Sequence, residues 1–264
     1  MDKPESIKLS IQGAVATISL DRPRVRNAIN LSMIREISTA LSQLNTDKRI
    51  RLIVFNSTSG HFCSGADLQW MQSGIELPED QLRNESRELA GLFRHIWKSR
   101  AITICSVKGP APGGAIGLLA ASDFVVAESS VVLSFSELKL GLVPSTIAPY
   151  VVRKAGISRA SEWMMTGRPI KAVEAKDTGL IHRICDEGAL EENTEMLIGE
   201  LLSKGKDALF GLKQVLRQLE HMKDPDEIDN YTSRSIADFR KSAEGQEGMK
   251  AFLEKRLPRW NEKS

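Results

Sequence analysis

Short apolar runs alternate with stretches of helical period through the first half of the chain, and that alternation restricts the possible folds more than any other feature. Residues 7–20 are rich in β-forming side chains and turn at Gly13, so they read as a hairpin closed by Asp21-Arg22-Pro23. Asn30 then stands where it would cap an amphipathic helix bearing Met33, Ile37, Leu41 and Leu44, ahead of a buried-type strand at 51–55. A segment at 66–70, a charged helix at 78–99 and another apolar strand at 102–107 follow. The glycine-rich stretch 109–117 opens a helix placed at 118–122, with strands at 124–127 and 131–135 beyond it. Strands and helices in this order predict a mostly parallel α/β core. From about Ala160 onward the pattern is almost wholly helical, with runs at 172–179, 190–204, 208–221 and 225–241. The expected division is an α/β core over 1–200 and a helical carboxyl-terminal region over 201–264, with no low-complexity linker between them.

Composition removes several classes of function. The 36 basic and 34 acidic residues nearly cancel, and a formal charge of +2 supplies no general field for nucleic acid or an anionic membrane. Cys63, Cys105 and Cys185 are odd in number and widely spaced, matching neither a disulfide framework nor a zinc site. The first residues, MDKPESIKLS, lack an apolar run, and no stretch approaches the roughly 18 apolar residues of a membrane span. A cytoplasmic protein is expected. His61, His95, His182 and His221 show no metal spacing and no Ser or Cys partner, so no metal site is expected. No Walker lysine follows Gly113-Gly114, and a full dinucleotide fingerprint is missing.

The chemistry gathers at two glycine-containing turns, each following a strand. In His61-Phe62-Cys63-Ser64-Gly65-Ala66-Asp67-Leu68, Gly65 permits backbone geometry that most residues resist, and small neighbours let a ligand reach the main chain. In Gly109-Pro110-Ala111-Pro112-Gly113-Gly114-Ala115-Ile116-Gly117, paired glycines open a helix whose first N–H groups lack internal partners and carry the positive end of the dipole. Either turn alone is ordinary tight packing. Together they form two places where a free N–H can face a ligand.

These two loops resemble the signature loops of the enoyl-CoA hydratase/isomerase (crotonase) superfamily. The similarity extends from Leu20-Asp21-Arg22-Pro23 and Asn27-Ala28, through Thr166-Gly167 and Ala175-Lys176-Asp177-Thr178-Gly179-Leu180-Ile181, to the stretch from Glu247 to Arg256. The resemblance implies a spiral of ββα units, a helical trimerisation region and a homotrimer or hexamer. It implies an acyl-CoA substrate, with coenzyme A present only as part of that substrate and no separate cofactor. Its oxyanion hole falls on the N–H groups of Ala66 and Gly114. Arg22, Arg24 and Arg26 occupy the turn where the family contacts coenzyme A, and Ala66, Asp67, Leu68 and Gly113 lie in the substrate loops. Phe252 and Lys255 match the carboxyl-terminal Phe and Lys that reach a neighbouring subunit's coenzyme A. Trp70, Met71 and Gly117 are candidates for the acyl pocket, although apolar residues on a helix face are more often core.

The acid/base groups depart from the familiar hydratase. Family hydratases carry one glutamate after the second glycine loop and another about 20 residues on; here the first position is Gly117 and the second matches Glu137. A carboxyl at the end of an apolar strand is a plausible base, because partial burial raises its pKa toward working pH. Asp123, at a helix-to-strand step, is read as pinning that turn. With Gly117 and the stretch 136–152, the chain most resembles bacterial methylglutaconyl-CoA hydratases, so hydration of 3-methylglutaconyl-CoA or a related branched 2-enoyl-CoA is expected. A Δ3,Δ2-enoyl-CoA isomerase using Glu137 alone is the alternative, and a non-catalytic acyl-CoA or RNA-binding scaffold is a third. If the loop tolerates the side chain, Gly117→Glu is expected to gain crotonyl-CoA hydration.

Overall fold

The computed structural model describes residues 5–261. The chain opens with β1 (Ile7–Gln12) and β2 (Val15–Leu20), an antiparallel hairpin in which Ile7 faces Leu20 and Gln12 faces Val15. A single 3-10 turn, Pro23–Val25, leads to α1 (Leu31–Thr46), whose first turn is capped by Asn30 Oδ1 accepting from Met33 N at 3.0 Å. Then come β3 (Leu52–Ser57), the short α2 (Leu68–Ser73), α3 (Glu79–Lys98) and β4 (Ile102–Val107). After β4 the order is β5 (Ala111–Pro112), α4 (Gly114–Ala121), β6 (Phe124–Glu128) and β7 (Val132–Ser134). The later elements are α5 (Ala148–Thr166), β8 (Ile170–Lys171), α6 (Ala172–Asp177), β9 (Arg183–Cys185), α7 (Leu190–Leu202), α8 (Lys206–Leu219), α9 (Pro225–Lys241) and α10 (Ala243–Leu253).

Among the described residues the main sheet has the order β1-β2-β3-β4-β6-β9, and every pairing beyond the hairpin is parallel. β4 is buried along its whole length, as an inner parallel strand covered on both faces must be. A small second sheet, β5-β7-β8, pairs Ala111-Pro112 in parallel with Leu133-Ser134. The core joins the sheet to α1, α3 and α4 through fully buried Ile18, Met33, Ile37, Phe55, Phe93, Ile96, Ile116 and Leu119. α4 is apolar all round, and its residues from Ala115 to Ala121 are all buried.

Two expectations are corrected. The helix after the second glycine loop begins at Gly114, four residues before the expected Leu118, because glycines that look like loop in sequence supply the first turn of a helix buried from Ala115 onward. The stretch after Ala160 is not wholly helical: β8 and β9 interrupt it, and β9 is the last strand of the main sheet. Both are two or three residues long and exist through their pairing, which local periodicity does not report. α5 also starts earlier, at Ala148, and breaks at Gly156, whose φ of 74° and ψ of 158° lie outside the helical region.

Contacts divide the chain between Thr194 and Glu195, inside α7. Within the second unit, Glu244 accepts from Asp207 N at 3.0 Å and Ala208 N at 2.8 Å, satisfying donors at the start of α8 with a negative charge. Glu247 holds Arg256 in a forked pair at 2.7 and 3.1 Å. Phe252, 83% exposed, ends α10 beside Leu253, and Lys255 follows beyond the helix with φ 55°. Among the described residues no helix is long and apolar enough to cross a membrane.

Candidate active site

Adjacent parallel strands deliver the two glycine loops to one place. β3 and β4 pair in parallel, so the chain leaves both at the same edge of the sheet, where α/β folds generally place ligands. Phe62 N donates to Lys108 O at 2.9 Å, tying the loop after β3 to the loop after β4. The loops touch again further on: a Cβ built on Gly65, whose φ is 88°, would lie 3.0 Å from Pro112 O. Only glycine permits that approach.

Buried Asn27 shapes the first loop. Its Nδ2 donates to His61 O at 2.9 Å and Phe62 O at 3.1 Å, and its Oδ1 accepts from Arg22 N at 2.8 Å. Ile29 then pairs with Ala66 in an isolated parallel bridge, with Ile29 N donating to Gly65 O at 2.7 Å and Asp67 N donating to Ile29 O at 2.9 Å. In a parallel bridge the bonds go to the residues flanking the partner, so the N–H of Ala66 itself faces away from Ile29. Ala66 itself is exposed.

In the second loop Gly113 N donates to Ser134 O at 2.9 Å, extending the β5-β7 pairing, and Gly113 then takes φ 51° and ψ −122° to turn into α4. Gly114 is the first residue of that helix, where an N–H has no intrahelical acceptor, and it remains half-accessible. A Cβ on Gly114 would stand 3.4 Å from Ile29 Cδ1, so Ile29 meets both candidate donor loops, one through its backbone and the other through its side chain. At the other end of α4, half-buried Lys154 donates to Ser122 O at 2.6 Å, and desolvation pulls its pKa down to about 8. Asp123 pins that turn through Thr103 N at 2.8 Å and Thr103 Oγ1 at 3.0 Å, as expected.

Glu137 arrives from β7, three residues past Ser134, and opens a 3-10 turn, Glu137–Leu140. The parallel β5-β7 pairing places the residues after each strand side by side, and a Cβ on Gly113 would sit 3.1 Å from Glu137 Oε1. Oε2 is buried without a hydrogen-bond partner. Burial raises the Glu137 pKa above its ordinary 4.5, and the N–H groups of Glu137 and Ser136 offset only part of that effect. A carboxyl so placed, one residue from the first N–H of α4, is of the kind that can move a proton at a carbon next to a carbonyl.

The other predicted residues have definite places. Gly117 is buried, and a Cβ on it would come within 2.5 Å of both Phe93 Cε1 and Ile147 Cγ2. Trp70 donates through Nε1 to Glu85 Oε2 at 2.6 Å, pinning α2 to α3; Met71 beside it is half-buried, whereas Leu68 is 77% exposed. Arg24 and Arg26 are exposed, and Arg26 and Asn27 have φ of 51° and 58°. Arg22 is directed inward: its Nη1 donates to Ala28 O at 2.6 Å and to Asp67 Oδ2 at 2.8 Å. Sequence reasoning missed the parts played by Asn27, Ile29, Phe93 and Ile147. The Asn27-Ala28 match to the family pattern could have signalled the first; the others look like ordinary core positions.

A parallel α/β core brings two glycine loops together at one sheet edge, with the half-buried Glu137 carboxyl against the second of them. The chain belongs to the enoyl-CoA hydratase/isomerase family, whose profile matches residues 10–263, and it is an enzyme of that family. An enoyl-CoA hydratase from Shewanella pealeana superposes with a TM-score of 0.93 at 34% identity, covering 98% of this chain and 97% of that one. The enoyl-CoA hydratase ACTT6 of Alternaria alternata is 33% identical over 208 residues, 78% of this chain and 68% of that protein. The trans-2-decenoyl-[acyl-carrier-protein] isomerase of Streptococcus mutans is 25% identical over 266 residues, 98% of this chain and 99% of that protein.

Proposed function

We propose that the protein hydrates a branched 2-enoyl-CoA thioester of the 3-methylglutaconyl type, with the Ala66 and Gly114 N–H groups holding the thioester oxygen and Glu137 handling the protons. The observation that carries this reading is the Glu137 carboxyl, which lies against Gly113, one residue from a candidate donor, with one oxygen buried and unpartnered. Charge that develops on a thioester oxygen is stabilised by donors already in place, each typically contributing about 3 kcal/mol to the transition state. Coenzyme A enters as part of the substrate, and no further cofactor is called for.

A distal carboxylate on the acyl group is supported by two features. The residue at 117 is glycine, so a second catalytic carboxylate is missing there, and the substrate's own carboxylate can help to hold water. Two exposed arginines also act on this neighbourhood: Phe93, which would meet a Cβ on Gly117, packs edge-on against Tyr150 at 6.3 Å. Burial pushes the Tyr150 phenol pKa up against the opposing fields of Arg153 and Arg94. An acyl chain ending in a carboxylate suits that neighbourhood better than one ending in a methyl group.

A second reading, Δ3,Δ2-enoyl-CoA isomerisation, is favoured by the apolar wall that Phe93 and Ile147 form at Gly117. Shuttling one proton between two carbons needs one carboxylate and no water. A panel of thioesters in oxygen-18 water decides between the two. Hydration of 3-methylglutaconyl-CoA with uptake of labelled oxygen, much faster than hydration of crotonyl-CoA, is expected. Efficient conversion of a 3-enoyl-CoA with no hydrated product from any 2-enoyl thioester would establish the isomerase instead.

A further inference from the structure

Arg22 and Asp67 stand 45 residues apart in sequence, yet one guanidinium nitrogen reaches both sides of the Ile29–Ala66 bridge. Arg22 Nη1 donates to the carbonyl of Ala28, the residue before Ile29, at 2.6 Å, and to the carboxylate of Asp67, the residue after Ala66, at 2.8 Å. The other oxygen of Asp67 caps α2 by accepting from Gln69 N at 2.9 Å and Trp70 N at 3.2 Å. Arg22 is itself held through its backbone: its N donates to Asn27 Oδ1 at 2.8 Å, and its O accepts from Asn27 N at 2.9 Å. The chain on either side of Ala66 is therefore fixed by hydrogen bonds to Ile29, and the bridge is fixed in turn by one ion pair.

We propose that the Arg22–Asp67 pair is a positioning clamp for the Ala66 N–H, serving turnover rather than affinity for coenzyme A. The proposal rests on the reading of Ala66 as an oxyanion donor. Burial supports it, since the Asp67 side chain is only 6% exposed and that of Arg22 22%, which leaves the carboxylate little access to a ligand. Burial disfavours the charged form of Asp67, but the Arg22 guanidinium and the Trp70 and Gln69 N–H groups outweigh it and hold the carboxyl below the usual carboxylate range. Asp67 is thus ionised at neutral pH, and its partners are already chosen. A donor works only when aimed at the position the oxyanion will occupy, so loosening its neighbour is felt in the rate before it is felt in binding.

The test measures turnover, coenzyme A affinity and the spectrum of a bound thioester together. A chromophoric arylacryloyl-CoA should shift its absorbance to the red on binding to the wild-type protein, because donors at the carbonyl oxygen polarise the conjugated system. Asp67→Asn keeps the size and one acceptor for the α2 cap but removes the charge facing Arg22. It is expected to lower kcat by 10-fold or more and to diminish the red shift, with the Kd for free coenzyme A changed by less than about 3-fold. Arg22→Met should behave in the same way, and Arg22→Lys should recover part of both the rate and the shift. If Asp67→Asn does not fold, the two Arg22 variants carry the same comparison. Wild-type kcat and red shift in a folded Asp67→Asn or Arg22→Met protein would overturn the clamp, as would a loss of coenzyme A affinity proportional to the loss of rate. A wild-type protein that binds the thioester with no red shift would instead remove the oxyanion-donor reading itself.

Discussion

The Glu137 carboxyl lies against the main chain of Gly113, with Oε1 placed 3.1 Å from where a Cβ on that glycine would be. Any side chain at 113 would intrude on the carboxyl, and the φ of 51° at Gly113 also excludes most of them. Glycine here positions the loop and leaves room for the candidate base.

Glu137→Gln should cut kcat by about 100-fold or more while coenzyme A still binds, measured by steady-state turnover and calorimetry. A base must be deprotonated to act, so wild-type kcat/KM should fall as pH drops through a pKa above the ordinary 4.5. Stability follows the same shift. Because the folded-state pKa is raised, the neutral carboxyl is favoured in the native protein, and that contribution is present below the unfolded pKa and lost as pH rises through the folded one. Glu137→Gln, permanently neutral, should therefore resist urea at least as well as wild type at pH 8. Near-normal turnover in the folded variant would remove Glu137 from the chemistry.

Position 117 should tolerate no side chain without repacking. A Cβ there would lie 2.5 Å from both Phe93 Cε1 and Ile147 Cγ2, so the expected gain of crotonyl-CoA hydration in Gly117→Glu lacks the room it required. Gly117→Ala is expected to lose about 1–3 kcal/mol of stability through overpacking, read from urea denaturation midpoints. Gly117→Glu should lose more and hydrate crotonyl-CoA no faster than wild type. An unchanged midpoint in Gly117→Ala would mean that Phe93 and Ile147 move aside freely.

Assembly should be trimeric or a dimer of trimers, checked by light scattering at micromolar concentration. The motivation is apolar surface in the carboxyl-terminal helices: Leu212, Leu216 and Ile236 are each more than half exposed, and Phe252 and Leu253 nearly 80% or more. A particle of monomer mass at that concentration would contradict it.

Most of the element order was legible in the sequence, because caps and periodicity act over a few neighbouring residues. The hairpin before Asp21, the Asn30 cap, the helix ending at Lys98 and the buried strand Ile102–Val107 need only such local rules. The two glycine loops and Glu137 were visible as candidates, and the separated motifs were enough to name the family. Tertiary structure alone decided which of these groups meet. β8 and β9 are too short to have a period of their own and exist only because partners pair with them. Ile29 reads as a core residue until it is paired with Ala66, and Phe93 and Ile147 reveal their role only when they close over Gly117. Arg22 reads in sequence as a ligand for phosphate, and the fold points it at Asp67. Propensity and periodicity depend on neighbours a few residues away, whereas a site is built from groups 20 to more than 100 residues apart, brought into register by burial of a shared core.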